Sequence, residues 1–593
     1  MNILRLFDIL EYQAVSYPNE NAVNCFRNSR WQSFSIQQII DKTNIVSCWL
    51  LEKGLQKGDK VAFIPKIGRL EWLVLDFACQ QLGVITVPIH PTAQEEELTF
   101  ILNETKTKIC ISADLALFYK SQSEEKNIQQ PTKFYHLENG AKGYLKVLES
   151  SKFNIEKQQQ LETIKANITS SDCLSIMYTS GSSGVSKGVV LTHKNLVSGI
   201  KGQIDLLPLN PKDSVMSFLP FSHIFERAVC YAYITLGASI YFGQDKESFA
   251  ADFNSVKPIS TTAVPRILEK IYDFLQEEQL KQNWLRKNIL KWAMNVGKKY
   301  DEHRCKQPLY KLQLYATRLL VFNTLKENLG GNITYIFVGG AALRNEIGRF
   351  FSAAGIKIIE GYGMTETSPL ISVNRVEKGE NKYGTVGIPV AGVQLKIVDT
   401  NENGEGEILV KGANVFEKYY LQPQLSKAAF SNDGWFKTGD IGKFVDNKFL
   451  KITDRKKNIF KTSAGKYIAP QPLERHFCSS PFIQQCLILG FQRPYVAALL
   501  VPHFAILEQW CKQENIHWTS AQFMVHNIKV VEKIQEEINH FNLQVANHEK
   551  IRVFHLCYKE WTIEKGEYTP SFKPIRKVLS EEYQKEIDKI YVN

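Results

Sequence analysis

The sequence predicts an α/β fold with more than one domain. The chain has 593 residues, more than a single hydrophobic core usually organises. Short apolar runs alternate with helical patterns over much of its length, as in KVAFIP (60–65), LEWLVLDFACQQLG (70–83) and VITVPI (84–89). A strand, a helix and a second strand in this order are typical of a parallel sheet covered by helices.

Similar units recur further along the chain, in SIYF (239–242), ITYIFVGG (333–340) and IKIIEGYG (356–363). From Val393 the pattern changes to short strands separated by turns, such as VQLKIVD and GEGEILVKG. This change predicts a small antiparallel sheet or barrel.

The predicted domain organisation follows from these changes of pattern. Residues 1–453 are expected to form a large N-terminal domain of α/β sheets with a small β-barrel-like subdomain. A charged stretch follows the barrel-like region, and beyond it residues 454–593 are expected to form a small, mobile α+β domain. A helical insertion is predicted at about 267–328, where helical periodicity continues without strand signals.

Composition excludes several classes of protein. The chain has 44% hydrophobic and 22% charged residues, a globular balance. No apolar run reaches the roughly 18 residues of a membrane span. The N-terminal segment lacks a secretory cleavage site and is expected to be an amphipathic helix. Eleven cysteines are scattered without CxxC pairs or a metal-ligand cluster, which predicts reduced thiols in a cytoplasmic protein.

The formal net charge of +11 favours anionic partners without choosing among them. A solvated basic surface explains it equally well. No nucleic-acid motif accompanies the charge, so no nucleic-acid partner is expected. Peripheral contact with the inner face of a membrane is one hypothesis, and a homodimer is left open.

The segment MYTSGSSGVSKGVVLTHKN (177–195) is the most informative part of the sequence. Its Ser, Thr and Gly residues predict a loop whose backbone amides can approach an anion closely; the alternative is a Ser/Gly turn without a ligand. Lys187 adds a mobile positive charge, and a strand is expected from Gly188. The spacing is not that of a P-loop, which opens a helix. The loop residues expected to bind a polyphosphate are Thr179, Ser180, Gly181, Ser182, Ser183 and Gly184.

This loop resembles the signature loop of adenylate-forming enzymes, the superfamily of acyl-CoA synthetases, luciferases and peptide-synthetase adenylation domains. That family commonly has Thr at the positions of Ser182 and Ser183, so the hydroxyls are preserved here. It has Pro at the position of Ser186, which predicts a more mobile loop in this chain. The resemblance extends in order over nearly the whole chain and implies that the protein binds ATP.

Two segments resemble the family's adenine site. VGGAAL (338–343) resembles its adenine-contacting turn, and EGYGMTETSP (360–369) resembles its central motif. In that motif the aromatic residue, here Tyr362, stacks on adenine. The resemblance therefore implies nucleotide contacts from Gly340, Ala341, Glu360, Gly361, Tyr362 and Gly363.

The central motif also implies the phosphate chemistry. Thr365 is expected to meet phosphate and Glu366 to hold Mg²⁺, with Thr179 as a second metal ligand. A carboxylate beside a phosphate needs a bridging cation to offset their repulsion. Without its motif, Glu366 would be interpreted as a surface or capping residue.

The segment WFKTGDIG places Asp440 on a predicted turn, and the family's Asp at this position accepts both ribose hydroxyls. The segment ITDRKKNIFKTSAGKYIAP resembles the family's hinge and the loop after it. Arg455 is expected to meet the ribose, and Lys457 lies near the position about which the C-terminal domain turns, so the hinge is expected at 454–457. The alternative is a basic face that is solvated or binds nucleic acid.

The loop after the hinge is expected to reach the coenzyme A thiol channel through Ser463, Ala464 and Gly465. Family members usually have a second Gly at the position of Ala464. If that position requires a positive φ, Ala costs roughly 1 kcal/mol there and thioester formation is slow.

The segment TPSFKPIRKVL (569–579) resembles the C-terminal lysine motif, with Lys573 at the catalytic position. An ammonium group can bridge the attacking carboxylate and the α-phosphate, which lowers the repulsion between two anions. The residues expected to be catalytic are Lys187, Thr365, Glu366 and Lys573.

The segments LPFSHIFERAV (219–229) and VPRILEKIYD (264–273) and the helical insertion resemble the long-chain fatty acyl-CoA synthetase branch. His223 is expected beside the acyl pocket; the alternative is a turn histidine. The implied function is ATP-dependent activation of a long-chain fatty acid, followed by transfer to coenzyme A. Two alternatives remain: an acyl-AMP ligase that serves a carrier protein, and a non-catalytic nucleotide- or lipid-binding scaffold.

Overall fold

A computed structural model of the chain describes residues 3–66, 68–113, 115–137, 147, 155–180, 186–245, 247–301, 304–377, 379–463, 465–563, 565–569 and 574–591. The described backbone forms a nine-stranded sheet, a six-stranded sheet and three smaller sheets. Helices lie between and around them. The predicted fold class is confirmed: α/β sheets make up most of the chain, and a smaller α+β unit follows them.

The nine-stranded sheet carries the predicted adenine turn. Its strands, in spatial order, are β15 (Ile388–Pro389), β14 (Leu370–Val373), β13 (Lys357–Gly363), β12 (Tyr335–Val338), β11 (Ser260–Ala263), β9 (Ser214–Ser217), β10 (Ser239–Phe242), β1 (Val23–Arg27) and β2 (Arg30–Phe34). From β13 to β1 each strand is parallel to the next, whereas β14 is antiparallel to β13 and β2 is antiparallel to β1. Ligands of such sheets bind beyond the carboxyl ends of the strands, where the VGGAAL turn and the central motif follow β12 and β13.

The six-stranded sheet carries the predicted phosphate loop. In spatial order its strands are β6 (Lys133–His136), β5 (Ile109–Ser112), β3 (Lys60–Ile64), β4 (Ile85–Pro88), β7 (Cys173–Ser180) and β8 (Ser186–Thr192). The predicted strand–helix–strand unit is confirmed, because the helix Leu70–Leu82 connects β3 to β4. This helix ends at Gly83, whose φ of +66° is a left-handed conformation that favours glycine.

A buried ion pair joins the two large sheets. Arg227 lies on the helix between β9 and β10, and its guanidinium is paired with Asp76 on the helix between β3 and β4. The same guanidinium donates to the hydroxyls of Ser175 on β7 (2.8 Å) and Thr86 on β4 (2.9 Å). All four residues are buried. Removal of one partner from such a pair costs about 3–5 kcal/mol, so this network fixes one sheet against the other.

The segment after Val393 forms an open antiparallel sheet rather than a closed barrel. Its strands follow one another in sequence: β16 (Val393–Val398), β17 (Gly406–Gly412), β18 (Phe436–Val445) and β19 (Phe449–Arg455). Of the two predicted forms, the structure has the sheet. The helix Pro423–Ala429 lies in the connection from β17 to β18.

The large domain contains further helices. They are Asp8–Ser16, Ile36–Glu52, Glu95–Thr105, Leu115–Ser123, Ile155–Ala166, His193–Ile204, Ile224–Leu236, Phe249–Val256 and Asn345–Ala353, with 3₁₀ turns at Glu124–Asn127 and Thr365–Thr367. The predicted insertion consists of the helices Pro265–Lys281, Trp284–Lys298, Pro308–Thr317 and Asn323–Asn328, a 3₁₀ turn at Arg304–Lys306 and a π-helix at Arg318–Phe322.

The C-terminal part of the chain has its own hydrophobic core, formed by residues between Ile468 and Leu556. Its strands are β20 (Phe460–Lys461), β21 (Tyr467–Ile468), β22 (Ile483–Leu489), β23 (Ala497–Pro502) and β24 (Val553–Leu556). Its helices are Pro470–Phe477, Phe504–Gln513, Ala521–Met524, Ile528–Asn542, Arg576–Glu582 and Gln584–Tyr591. No helix among the described residues is both long enough and apolar enough to cross a membrane.

Candidate active site

The predicted phosphate loop lies at the tip of a hairpin. Strands β7 and β8 are antiparallel, and Thr179 pairs with Lys187 across them. Strand β8 begins at Ser186, two residues earlier than the predicted start at Gly188, because this pairing continues to the loop itself. The loop residues Gly181, Ser182, Ser183 and Gly184 lie outside the described residues, as does the side chain of Ser180.

Both arms of this hairpin are held by one helix. On the helix Glu95–Thr105, the carboxylate of Glu97 accepts a hydrogen bond from the Ser186 hydroxyl (2.6 Å), and Glu104 accepts one from the Tyr178 hydroxyl. Ser186 is the residue that replaces the family's Pro. The backbone restraint that Pro would give is therefore replaced at this position by a side-chain hydrogen bond.

Lys187 and Glu366 are connected through a tyrosine that the sequence analysis did not identify. The Lys187 ammonium lies 5.0 Å from the centre of the Tyr419 ring, a cation–π contact, and the Tyr419 hydroxyl donates to Glu366 Oε1 (3.0 Å). Tyr419 reaches this position because its segment adds to the edge of β8, where the Tyr420 amide donates to the Gly188 carbonyl (2.7 Å). The signal in the sequence was an aromatic pair next to a lysine, in KYY.

The environment of Glu366 is partly desolvated and positively charged. Glu366 lies in the 3₁₀ turn Thr365–Thr367, and its carbonyl accepts a hydrogen bond from the Phe416 amide (2.8 Å). Removal from water raises the pKa of its carboxyl above the ordinary value, while the Tyr419 hydroxyl and the charges of Arg455 and Lys187 oppose the shift. Such a carboxylate favours a compensating cation. Thr365, in the same turn, is half-buried.

Two glycines of the central motif allow the chain to turn between β13 and β14. A Cβ on Gly363 would lie 1.6 Å from the Pro369 carbonyl oxygen, so only glycine fits there. A Cβ on Gly361 would lie 3.0 Å from the Leu370 side chain. Tyr362 lies between these two glycines within β13, and Glu366 follows in the 3₁₀ turn that connects β13 to β14.

Asp440 is the centre of the predicted ribose site. It lies within strand β18, not on the predicted turn, because the pairing of β18 with β19 extends to the pair Asp440–Arg455. One carboxylate oxygen accepts from the Tyr362 hydroxyl (2.7 Å) and the other from Arg455 Nε (2.9 Å). The three side chains therefore form one hydrogen-bonded unit, which an acceptor-only carboxylate can hold together.

The predicted adenine turn lies beside a buried carboxyl group. Gly340 has a φ of +83°, which favours glycine, and Ala341 lines a groove of about 720 Å³. Burial raises the pKa of Glu360 to about 8, while the Leu343 backbone and the Arg475 charge oppose the shift. At neutral pH Glu360 is therefore mostly protonated.

The groove beside Ala341 is also lined by the C-terminal part of the chain. Tyr568 and Pro574 lie on its wall and form an isolated antiparallel bridge with each other. They flank the segment that contains Lys573, which itself lies outside the described residues. Arg344, on the large domain, donates to the Cys478 carbonyl across the same groove (2.8 Å).

The predicted coenzyme A loop is exposed in this structure. Ser463 and Gly465 lie on the surface in the turn between β20 and β21, and the Ser463 amide donates to the Arg493 carbonyl (2.9 Å). Gly465 has a φ of +76°, and Ala464 lies outside the described residues. Lys457 is exposed in the turn that follows β19, where the hinge is predicted.

His223 lies immediately before the helix Ile224–Leu236. Its ring accepts from the Phe225 amide (3.4 Å), as a helix-capping residue does. Burial lowers the pKa of the neighbouring His90 to about 4, and His223 acts in the same direction. The capping contact accounts for the position of His223, and its role beside an acyl pocket stays a prediction.

Two family models match the chain. The model described as AMP-binding enzyme matches residues 10–420, and the model described as AMP-binding enzyme C-terminal domain matches residues 457–593. The chain therefore belongs to the AMP-binding enzymes, as the resemblance of its phosphate loop predicts.

Similar proteins identify the branch of this family. The chain is 31% identical over 569 residues to the long-chain-fatty-acid–CoA ligase FadD15 of Mycobacterium bovis, which covers 95% of this chain and 92% of the relative. It is 30% identical to the peroxisomal long chain acyl-CoA synthetase 6 of Arabidopsis thaliana, over 91% and 79% of the two chains. Within the AMP-binding enzymes, the chain thus falls in the long-chain acyl-CoA synthetase branch.

A solved structure with the same fold is that of ATP-bound MatB from Rhodopseudomonas palustris. Its TM-score is 0.70 at 20% identity, and the match covers 98% of this chain and 99% of that one. At this identity the match confirms the fold alone.

Proposed function

We propose that the protein is a long-chain fatty acid–CoA ligase. It uses ATP to convert a fatty acid into an acyl-adenylate and then transfers the acyl group to coenzyme A. The observation that supports this most is the convergence of Lys187, Glu366, Asp440 and Arg455, which are far apart in sequence, around one group of contacts. The similarity to ligases of this class supports it independently.

In the first half-reaction the fatty acid carboxylate attacks the α-phosphorus of ATP. The acyl–phosphate bond forms as the bond to pyrophosphate breaks. Lys187 offsets the negative charge of the leaving pyrophosphate, Thr365 and the hydroxyls of the 179–183 loop donate hydrogen bonds to it, and Asp440 holds the ribose. Lys573 bridges the two reacting anions and stabilises the charge that develops between them.

Glu366 is the residue that would hold Mg²⁺, with Thr179 as a second oxygen ligand. Within the described ranges, no group of three or more His, Cys, Asp or Glu side chains could hold a metal by itself. Mg²⁺ in nucleotide sites is usually held by one or two carboxylates together with phosphates, and one desolvated carboxylate fits that pattern. When bound, Mg²⁺ offsets the negative charge of the phosphates.

In the second half-reaction the coenzyme A thiol attacks the acyl carbonyl carbon, and AMP leaves. The C-terminal domain turns about the hinge near Lys457, which withdraws Lys573 and brings Ser463, Ala464 and Gly465 to the site. The exposed position of Ser463 and Gly465 supports this step, because among the described residues neither is hydrogen-bonded to Glu366, Asp440 or Arg455. His223 is the proposed residue beside the acyl pocket.

The direct test is incubation of the protein with ATP, Mg²⁺, palmitate and coenzyme A. We expect palmitoyl-CoA, AMP and pyrophosphate in equal amounts. Acyl-adenylate without thioester would favour the carrier-protein alternative. Absence of ATP–pyrophosphate exchange with any acid from short to very long chain would refute the proposal and favour a binding scaffold.

Peripheral contact with a membrane is part of the proposal, because the substrate is a lipid and the chain has a net charge of +11. A homodimer is a separate prediction, which sedimentation velocity tests directly. Neither is required for the chemistry of the site.

A further inference from the structure

The middle of the helical insertion, residues 279–326, is strongly basic. Residues 279–326 contain eleven Lys and Arg and only two acidic residues, Asp301 and Glu302. These 48 residues have a net charge of +9, and the acidic residues that flank them lower the net charge of the whole insertion, 267–328, to +5. The exposed members are Arg286, Lys291, Lys299, Arg304, Lys306 and Lys311, and none of them is ion-paired with a carboxylate in the part of the chain that the structure describes.

The insertion also carries a stripe of exposed apolar side chains, here called the outer stripe. It lies on the helix Pro308–Thr317 and the π-helix Arg318–Phe322, and its members are 58–70% exposed. They recur at helical spacing, so they lie along one face. The outer stripe consists of Leu309, Leu312, Tyr315, Leu319 and Leu320.

The outer stripe is not needed to pack these helices. The opposite face supplies Tyr310, Leu314 and Phe322 to the core, and the Tyr310 hydroxyl donates to the Val296 carbonyl (2.8 Å). The helix is therefore apolar on its inner and its outer face. A contiguous exposed apolar stripe close to exposed basic side chains marks an interaction surface. The six exposed Lys and Arg residues named above are called the basic border. The neighbouring helix begins with a second exposed pair, Trp284 and Leu285.

We infer that the outer stripe and its basic border dock the protein onto an anionic lipid bilayer. The inference rests on the membrane contact proposed above and assigns it a surface and a lipid charge. Leu and Tyr side chains enter the headgroup region while Lys and Arg remain at the phosphates, as in interfacial amphipathic helices. Each basic residue near an anionic surface strengthens binding by roughly fivefold.

Charge and chemistry favour a bilayer over two other partners. A second copy of the chain would bring two strongly positive surfaces together, so self-association through this face is opposed by repulsion. Nucleic acid would match the charge, but it is bound by basic and stacking aromatic side chains, whereas the outer stripe has four leucines and one tyrosine. A bilayer matches both the charge and the aliphatic character.

The test is flotation of the full chain with vesicles of phosphatidylcholine alone or with phosphatidylglycerol added. We expect flotation with the anionic vesicles only, and at least a tenfold weaker partition when salt is raised from about 0.05 to about 0.5 M. The paired change Leu312→Ser and Leu319→Ser should abolish flotation at both salt concentrations. The matched control is Leu421→Ser with Leu543→Ser, which removes leucines of similar exposure elsewhere.

A charge variant tests the basic border separately and does not alter the stripe. Lys306→Glu with Lys311→Glu should weaken flotation at least tenfold, whereas Lys512→Glu with Lys577→Glu, on exposed helices of the C-terminal domain, should change it less than twofold. Palmitoyl-CoA formation without vesicles should be unchanged in all four variants, so failure of docking and failure of the ligase proposal are distinguishable.

Three outcomes would overturn the inference. They are equal flotation of the stripe variant and its control, a wild-type dimer that the stripe variant converts to monomer, and binding of duplex DNA that competes with the vesicles.

Discussion

The large domain and the C-terminal domain contribute to the candidate site in different ways. In the part of the chain that ends with β19 at Arg455, Asp440 already joins Tyr362 to Arg455 by hydrogen bonds, and Tyr419 already connects Lys187 to Glu366. On the C-terminal domain, the segment with Ser463 and Gly465 is exposed, while Tyr568 and Pro574 line the groove beside Ala341. The half proposed to bind the nucleotide is therefore preassembled, whereas the segments proposed for the two half-reactions both belong to the C-terminal part of the chain.

The largest expected effect separates the two half-reactions. Lys573→Ala should lower ATP–pyrophosphate exchange about 1000-fold, since the charge that bridges the carboxylate and the α-phosphate is lost. Thioester formation from supplied acyl-adenylate should change less than threefold, because Lys573 is withdrawn in that step. Lys577→Ala, at an exposed lysine nearby, is the control and should affect neither rate. Equal loss of both half-reactions in Lys573→Ala would contradict the alternation of loops.

Asp440→Asn should instead impair both half-reactions, by roughly 10- to 100-fold. The ribose of the acyl-adenylate stays in its site through both half-reactions. The side-chain amide of the variant accepts a weaker hydrogen bond from Arg455 than the carboxylate does, and it cannot accept hydrogen bonds from both ribose hydroxyls. Steady-state rates of both half-reactions measure this loss of activity, and we expect the main effect in the KM for ATP. Asp433→Asn, an exposed aspartate paired with Lys396, is the control. A defect confined to one half would show that the ribose site is not shared.

The sequence predicted the fold and the charged residues of the site better than the contacts between them. Strand–helix alternation depends on neighbouring residues, and Lys187, Glu366 and Asp440 could be identified because the short motifs around them resemble those of adenylate-forming enzymes. Tyr419 could not, because its role depends on a short segment pairing with β8 from 230 residues away.

The errors have similar causes. Asp440 was expected on a turn because it follows a Gly, but pairing with β19 extends the strand through it. The effect of Ser186 on the mobility of the phosphate loop stays a prediction, and no local rule predicts that Glu97, 89 residues earlier, accepts its hydroxyl hydrogen bond. A closed barrel and an open sheet give the same alternation of strands and turns, and only the pairing of the outer strands distinguishes them.

Tyr419→Phe tests the phosphate side of the preassembled half. The Tyr419 hydroxyl stabilises the Glu366 carboxylate, whose pKa is already raised by desolvation. Loss of that hydrogen bond should raise the pKa further, and a protonated carboxyl group binds Mg²⁺ poorly. The acidic limb of the pH profile of kcat/KM for ATP should therefore move to higher pH. At neutral pH we expect kcat/KM to fall about 3- to 10-fold, and excess Mg²⁺ should partly restore it. Tyr420→Phe is the adjacent control, and an unshifted limb in Tyr419→Phe would refute the assigned contact.

The smallest effect is expected from Glu360→Gln, although Glu360 lies in the same motif as Glu366. Because burial raises the pKa of Glu360 to about 8, the folded protein holds a proton at neutral pH that the unfolded chain, with a pKa near 4.5, has released. Wild-type stability should fall as pH rises from 4.5 to about 8, and the Gln variant, which cannot ionise, should have a flatter profile. Its adenylation rate at pH 7 should stay within about threefold of wild type, since a neutral amide replaces a neutral acid. Denaturant unfolding at several pH values measures the profile, with Glu377→Gln at an exposed position as control. If Glu360→Gln instead reduces activity as strongly as Asp440→Asn, Glu360 acts as a charged ligand of the nucleotide rather than as a neutral wall of its pocket.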